Sequence, residues 1–131
     1  MDIVLDSGGL TAWARYRPPT DLLDLLEAAA QSGGAIVVPT LTVVKSTTGR
    51  QREDARINQL LRRVVPDTCT LERSRQAAAL RFRCPRKVSA VDAVVAATAA
   101  DRTRATVATS DPDDLQALLA SMVRAVPVVA V

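Results

Sequence analysis

The sequence contains no histidine, which excludes Ser-His-Asp and Cys-His triads, histidine-ligated zinc and any imidazole acid/base step. Its aromatic residues are Trp13, Tyr16 and Phe82 alone, too few for the stacking platforms on which RRM- or OB-type modules hold single-stranded bases. Two cysteines, Cys69 and Cys84, offer neither a disulfide framework nor a metal cluster, and both read as small half-buried residues in a reducing compartment. No segment approaches the ~20 apolar residues that span a bilayer. The start, Met1 to Asp6, has neither the basic region nor the apolar run of a secretory signal. A cytoplasmic protein without membrane contact is the expectation.

What is present suits one soluble domain over residues 1–131: 48% of the residues are hydrophobic and 24% charged. The formal net charge of +3 is unevenly spread. Residues 1–49 hold three basic and five acidic side chains, residues 50–87 eleven and four, and residues 88–131 three and five. Fifteen of the seventeen basic residues are arginine, which suits bidentate contacts to phosphate. An anionic partner such as RNA and a plain solvated helix face both account for the basic middle third.

Short apolar runs alternate with helical patterns along the chain. Ile3 to Leu5 reads as a buried strand that ends in the turn residues Asp6-Ser7-Gly8-Gly9. Thr20 is placed to cap a helix that stops at Gly33-Gly34, and Ala35 to Val38 reads as a second strand. A short helix follows Pro39 to about Gly49. The next buries Ala55, Ile57, Leu60, Leu61 and Val64 and turns its arginines outward. Val64 to Pro66 is strand-like and Leu71 to Arg83 helical. Ser89-Ala90-Val91-Asp92 resembles a capping box that opens an alanine-rich helix to about Ala100. Ala105 to Ala108 reads as a strand, Asp111-Pro112-Asp113-Asp114 as a helix start and Val126 to Val131 as a last strand. This alternation predicts a three-layer α/β fold with a mainly parallel central sheet.

Ligands of open parallel sheets bind beyond the carboxyl ends of the strands. Asp6 ends the first strand, Asp111 lies just past the strand at Ala105 to Ala108, and Asp92 opens the helix that feeds that strand. Three carboxylates brought to one edge repel unless a cation neutralises them, which points to Mg²⁺ or Mn²⁺ with oxygen ligands and to phosphodiester hydrolysis. Each acid also has a structural role to play: Asp92 in a capping box, Asp111 as an N-cap, Asp113 and Asp114 facing a helix dipole. Asp6 has the weakest such role, because a carboxylate directly after a buried strand costs free energy unless a turn amide or an ion satisfies it.

Four segments carry a resemblance: Val4-Leu5-Asp6-Ser7, Val37-Val38-Pro39, Ser89-Ala90-Val91-Asp92-Ala93-Val94-Val95-Ala96-Ala97-Thr98-Ala99, and Thr109-Ser110-Asp111-Pro112-Asp113-Asp114-Leu115. In order and spacing the chain resembles the PIN-domain ribonucleases, in particular the VapC toxins of bacterial toxin-antitoxin pairs. The resemblance implies a compact α/β/α domain, acids that bind Mg²⁺ or Mn²⁺, cleavage of RNA, homodimerisation and inhibition by a VapB-type antitoxin. Position by position, Asp6, Asp92 and Asp111 match the family's metal-site acids and Asp114 a less regular additional one. Ser7 and Ser110 match small polar residues that line the site. One position departs from the pattern: on the short helix after Pro39, where the family places a Glu, this sequence has Lys45.

A lysine there exchanges an anionic ligand for a cation, a difference of two charge units. A unit charge at ~4 Å is worth about 4 kcal/mol at an intermediate effective dielectric, enough to lower divalent affinity by orders of magnitude. Lys45 could equally swing to solvent or hold a substrate phosphate. Two functions therefore compete: a metal-dependent endoribonuclease, atypical or impaired at Lys45, and a catalytically silent PIN-like domain that binds RNA or an antitoxin. A phosphoacceptor domain of receiver type is disfavoured, since the first strand ends in one Asp rather than a pair. The apolar residues near Trp13 and Tyr16 read as core packing, with a dimer face or a partner groove as the alternatives.

Overall fold

The computed structural model describes residues 1–131. Five strands form one sheet: β1 (Asp2–Leu5), β2 (Ile36–Pro39), β3 (Val65–Asp67), β4 (Ala105–Thr109) and β5 (Val128–Ala130). Every neighbouring pair is parallel and the spatial order is β3-β2-β1-β4-β5. Seven helices connect them: α1 (Ser7–Trp13), α2 (Thr20–Gln31), α3 (Thr40–Ser46), α4 (Gln51–Leu61), α5 (Leu71–Arg83), α6 (Ala90–Ala100) and α7 (Pro112–Leu119). The α/β fold with a parallel sheet expected from the alternating pattern is the one observed.

The period-2 alternation of the strands sorts their side chains onto two faces. Val4, Val37 and Val107 point to one side and pack with Ala77 and Leu80 of α5, the buried run Ala93–Ala97 of α6, and Leu115, Leu118 and Leu119 of α7. Ile3, Leu5, Val38 and Ala108 point to the other and pack with Leu10, Ala12 and Trp13 of α1, Leu22, Leu26 and Ala29 of α2, and Ile57 and Leu60 of α4. Both faces are therefore covered, as an all-parallel sheet requires. Because α6 touches the sheet, α3, α5 and α7, it is buried on nearly every side. Its alanines let the neighbouring backbones approach closely.

Four local expectations are corrected. Ser7-Gly8-Gly9, read as part of a turn, instead open helix α1. Asp6 is its N-cap and Leu10, Ala12 and Trp13 are its buried face. Thr20 is the first residue of α2 and makes no side-chain cap; the N-cap position is Pro19. Helix α3 stops at Ser46 rather than near Gly49, because the Asp54 carboxylate accepts from the Thr48 and Gly49 backbone N–H groups, each at 2.8 Å, and bends the chain into a turn where Gly49 takes φ +80°. Tyr16, read with Trp13 as core, is 97% exposed, whereas Trp13 is buried beneath the Arg63 guanidinium at 5.4 Å.

Gly8 and Gly9 are required by close approach. A Cβ on Gly9 would stand 2.4 Å from the Ala108 carbonyl oxygen, and one on Gly8 would stand 2.0 Å from Ser110 Oγ. The absence of side chains at these two positions lets the first turn of α1 lie directly against the end of β4. No helix is long and apolar enough to cross a membrane.

Candidate functional site

In the order β3-β2-β1-β4-β5 the direction of chain progression reverses between β1 and β4, the position at which open parallel sheets leave a crevice beyond their carboxyl ends. Leu5 is in register with Ala108, so the next residue on each strand, Asp6 and Thr109, is set side by side. This edge of the sheet carries the residue that follows β1 and the residues that close and follow β4.

Asp6 is 6% exposed. Its Oδ1 accepts from the Gly9 N–H at 2.7 Å, which is also the N-cap bond of α1. Its Oδ2 accepts from the Thr109 hydroxyl. The same hydroxyl oxygen accepts from the Asp111 N–H at 3.0 Å. Thr109 thus ties the carboxylate that ends β1 to the backbone that leaves β4. Burial pushes the Asp6 carboxyl above its ordinary value of 3.8; the bonds from Thr109 and Gly9 pull it back down, the Asp92 charge pushes it up and the Lys45 charge draws it down.

The other predicted residues are placed as follows. Asp92 lies half-buried in the first turn of α6, and its backbone N–H donates to the Ser89 hydroxyl at 3.0 Å, so the Ser89 half of the capping box is formed. Asp111 occupies the N-cap position of α7, with Pro112 following, but its exposed side chain makes no cap bond. Asp114 is engaged elsewhere, with Oδ1 3.2 Å from Arg86 Nε. Ser7 is the first residue of α1 and half-buried, while Ser110 is exposed and abuts Gly8. Lys45 is exposed in the last turn of α3.

These positions test the fit of a divalent ion. Each Asp6 oxygen already accepts a hydrogen bond, and Asp114 is held by Arg86. No trio of acidic or cysteine side chains anywhere in the chain is grouped closely enough to hold one ion. As the side chains stand, Asp6, Asp92, Asp111 and Asp114 do not fit the all-carboxylate Mg²⁺ or Mn²⁺ site expected from the sequence. Thr109 is the residue that sequence reasoning missed. Its signal is a hydroxyl at the last position of a buried strand, two residues before an acid.

No protein-family model and no curated relative matches the sequence. Solved structures match over the whole chain. A chain of the VapBC2 structure from Rickettsia felis, bound to a DNA fragment from its promoter, aligns over 100% of this chain and 99% of its own length, with 13% identity and a TM-score of 0.73. A chain of FitAB bound to the IR36 DNA fragment aligns over 98% and 94%, with 20% identity and a TM-score of 0.67. A chain of FitAcB from Neisseria gonorrhoeae aligns over 96% and 95%, with 19% identity and a TM-score of 0.58. The likeness carried by the sequence motifs is therefore met in the architecture: over its full length this chain has the PIN-like fold of VapC- and FitB-type chains.

Proposed function

We propose that this chain, a single domain over residues 1–131, is a VapC-like endoribonuclease of toxin type, directed at RNA, held by a VapB-type antitoxin and working as a cytoplasmic homodimer. The observation that carries the reading is the junction of Asp6 with the end of β4. In a full-length PIN-like fold, Asp6 and the Thr109–Asp111 segment meet where the strand order reverses, with Asp92 acting on Asp6 from α6. The antitoxin is supported by the solved neighbours, which are VapBC2 and FitAB assemblies.

The residues divide the work. Asp6, Asp92 and Asp111 are the acids of the proposed site, lined by Ser7 and Ser110. Exposed arginines of α4 and α5, Arg52, Arg56, Arg75 and Arg83 among them, supply phosphate contacts along an RNA backbone. Arg73 is withdrawn from that set, since it is held by Asp67 and Asp101. Mg²⁺ or Mn²⁺ is the ion the resemblance implies, but the side chains as placed do not form its site and no hydrolytic step is assigned through it.

A second reading, a PIN-like domain that binds RNA or an antitoxin without cutting, is favoured by Lys45 at the acid edge. Purified protein incubated with structured RNAs, with and without Mn²⁺ and beside an Asp92→Asn variant, separates the two. Cleavage that needs both the ion and Asp92 supports the nuclease. RNA retention without cleavage supports the silent domain. Cleavage indifferent to both the ion and Asp92 refutes this site as its source.

A further inference from the structure

The segments that lead into β4 and β5, residues 101–104 and 121–124, meet the last residue of α5 around a cleft of about 670 Å³, within the ~300–1,000 Å³ of small-ligand sites. These segments lie at the amino ends of the strands. Asp6 and Thr109 stand at the carboxyl ends, and at ~3.3 Å per residue the length of β4 puts about 13 Å between the two edges. Three guanidinium groups line the cleft, those of Arg83, Arg102 and Arg124, against one carboxylate, that of Asp101. The Asp101 charge is answered by Arg73 at 3.3 Å, and the Arg102 charge by Asp2 at 2.6 Å. Arg83 and Arg124 have no carboxylate partner. We propose that this cleft binds a nucleoside di- or triphosphate, with Arg83 and Arg124 answering the charge of its phosphates.

The two unanswered cations are held by neutral partners. Arg124 is fixed at the C-terminal end of α6: its Nη1 donates to the Thr103 carbonyl at 2.5 Å, and its Nη2 to the Ala100 carbonyl at 3.0 Å and to the Arg102 carbonyl. These bonds leave its Nε–H and one Nη1–H unspent. Arg83 Nε donates to the Ala79 carbonyl at 3.3 Å, which leaves its four Nη hydrogens unspent. A carbonyl fixes a guanidinium without neutralising it, so part of the rotamer freedom of both side chains is lost before a ligand arrives. Like charges that line one cleft repel, and a ligand carrying two phosphates relieves the repulsion with oxygens that match the guanidinium fork. Arginines strung along one helix would track a polymer backbone; these come from α5 and from the loop after α7 and share one cavity. Met122 and the fully exposed Val123 line the same cleft and offer a base an apolar surface to cover.

ADP, inorganic pyrophosphate, orthophosphate and adenosine are titrated by calorimetry into the full chain at about 0.15 M salt without divalent ions. The proteins are wild type, Arg83→Gln, Val123→Asp and Arg17→Gln, with circular dichroism to establish that each is folded. Arg83 and Val123 are exposed, so neither change opens the core, and Arg17 is an exposed arginine outside the cleft. ADP and pyrophosphate are expected to bind wild type saturably, orthophosphate more weakly and adenosine not at all. Arg83→Gln and Val123→Asp each lose about tenfold or more in ADP affinity, and Arg17→Gln loses nothing. The proposal is overturned if wild type takes up neither ADP nor pyrophosphate, if either folded cleft variant binds ADP as wild type does, or if Arg17→Gln loses as much as they do. Retention of structured RNA that weakens in Arg83→Gln, without any binding of ADP, overturns it as well, because the cleft then serves a polymer backbone. None of these outcomes depends on whether the protein cuts RNA.

Discussion

Replacing Thr109 by valine removes one hydroxyl from a position that is 0% exposed and changes almost nothing in shape. Two hydrogen bonds go with it: the one donated to Asp6 Oδ2 and the one accepted from the Asp111 N–H. A hydrogen bond to an ionised group contributes about 1.5–3 kcal/mol, and an orphaned buried partner adds to the loss. Thr109→Val is therefore expected to cost about 2–3 kcal/mol at neutral pH, or roughly 7–11 °C in melting temperature for a chain of this length.

The sign of the pH dependence follows from Asp6. Its carboxyl is raised in the folded state by burial, so the folded protein binds that proton more readily than the unfolded chain does. Its contribution to stability is greatest below the ordinary value and declines as pH rises through the raised one. Thr109 opposes that rise, so Thr109→Val enlarges the decline, and the gap between variant and wild type narrows in acid where Asp6 is protonated in both. Thermal melts across pH for wild type, Thr109→Val and Thr109→Ser test this. Serine keeps the hydroxyl and should recover most of the loss. A gap independent of pH, or a serine variant as weak as the valine one, would refute the assignment of Thr109 as the tie between Asp6 and β4.

Gly9→Ala should cost about 1–3 kcal/mol in urea unfolding, because its Cβ meets the backbone carbonyl of Ala108 rather than a movable side chain; an unchanged midpoint would show that α1 does not rest on β4 as described. Arg73, with an 11% exposed side chain, donates to Asp67 at 3.1 Å, to Asp101 at 3.3 Å and to the Ala97 carbonyl at 3.2 Å, joining α5 to β3 and α6. Arg73→Met should destabilise by about 3 kcal/mol by leaving the largely buried Asp67 short of a partner, and a double-mutant cycle with Asp67→Asn checks that the loss belongs to this pair.

Elements whose stability is local were legible in the sequence. The strand cores at Ile3–Leu5, Val37–Val38 and Ala105–Ala108 are short apolar runs bounded by turn residues. Helix α6 announces itself through Ser89 and Asp92, and α7 through Asp111 and Pro112. Helix α1 was not legible, because Ser7-Gly8-Gly9 is a poor helix start in isolation and persists only with the Asp6 cap and the burial of Leu10, Ala12 and Trp13 against the sheet. The end of α3 was misplaced for a similar reason: Asp54, a turn into the next helix, draws Thr48 and Gly49 out of the helical path.

By itself the sequence determined the chemistry that was excluded and the architecture that remained. Without histidine or stacking aromatics, and with strand and helix periods alternating from end to end, a parallel α/β sheet with acids at its strand ends was the expectation left standing. What only the tertiary structure decided is which of those acids meet. Asp6 and Thr109 come together because Leu5 and Ala108 share a register, and Asp114 is held by Arg86. Each contact depends on strand order and helix placement, which depend on how the apolar faces of distant segments pack, and that packing is not a property of any local stretch of residues.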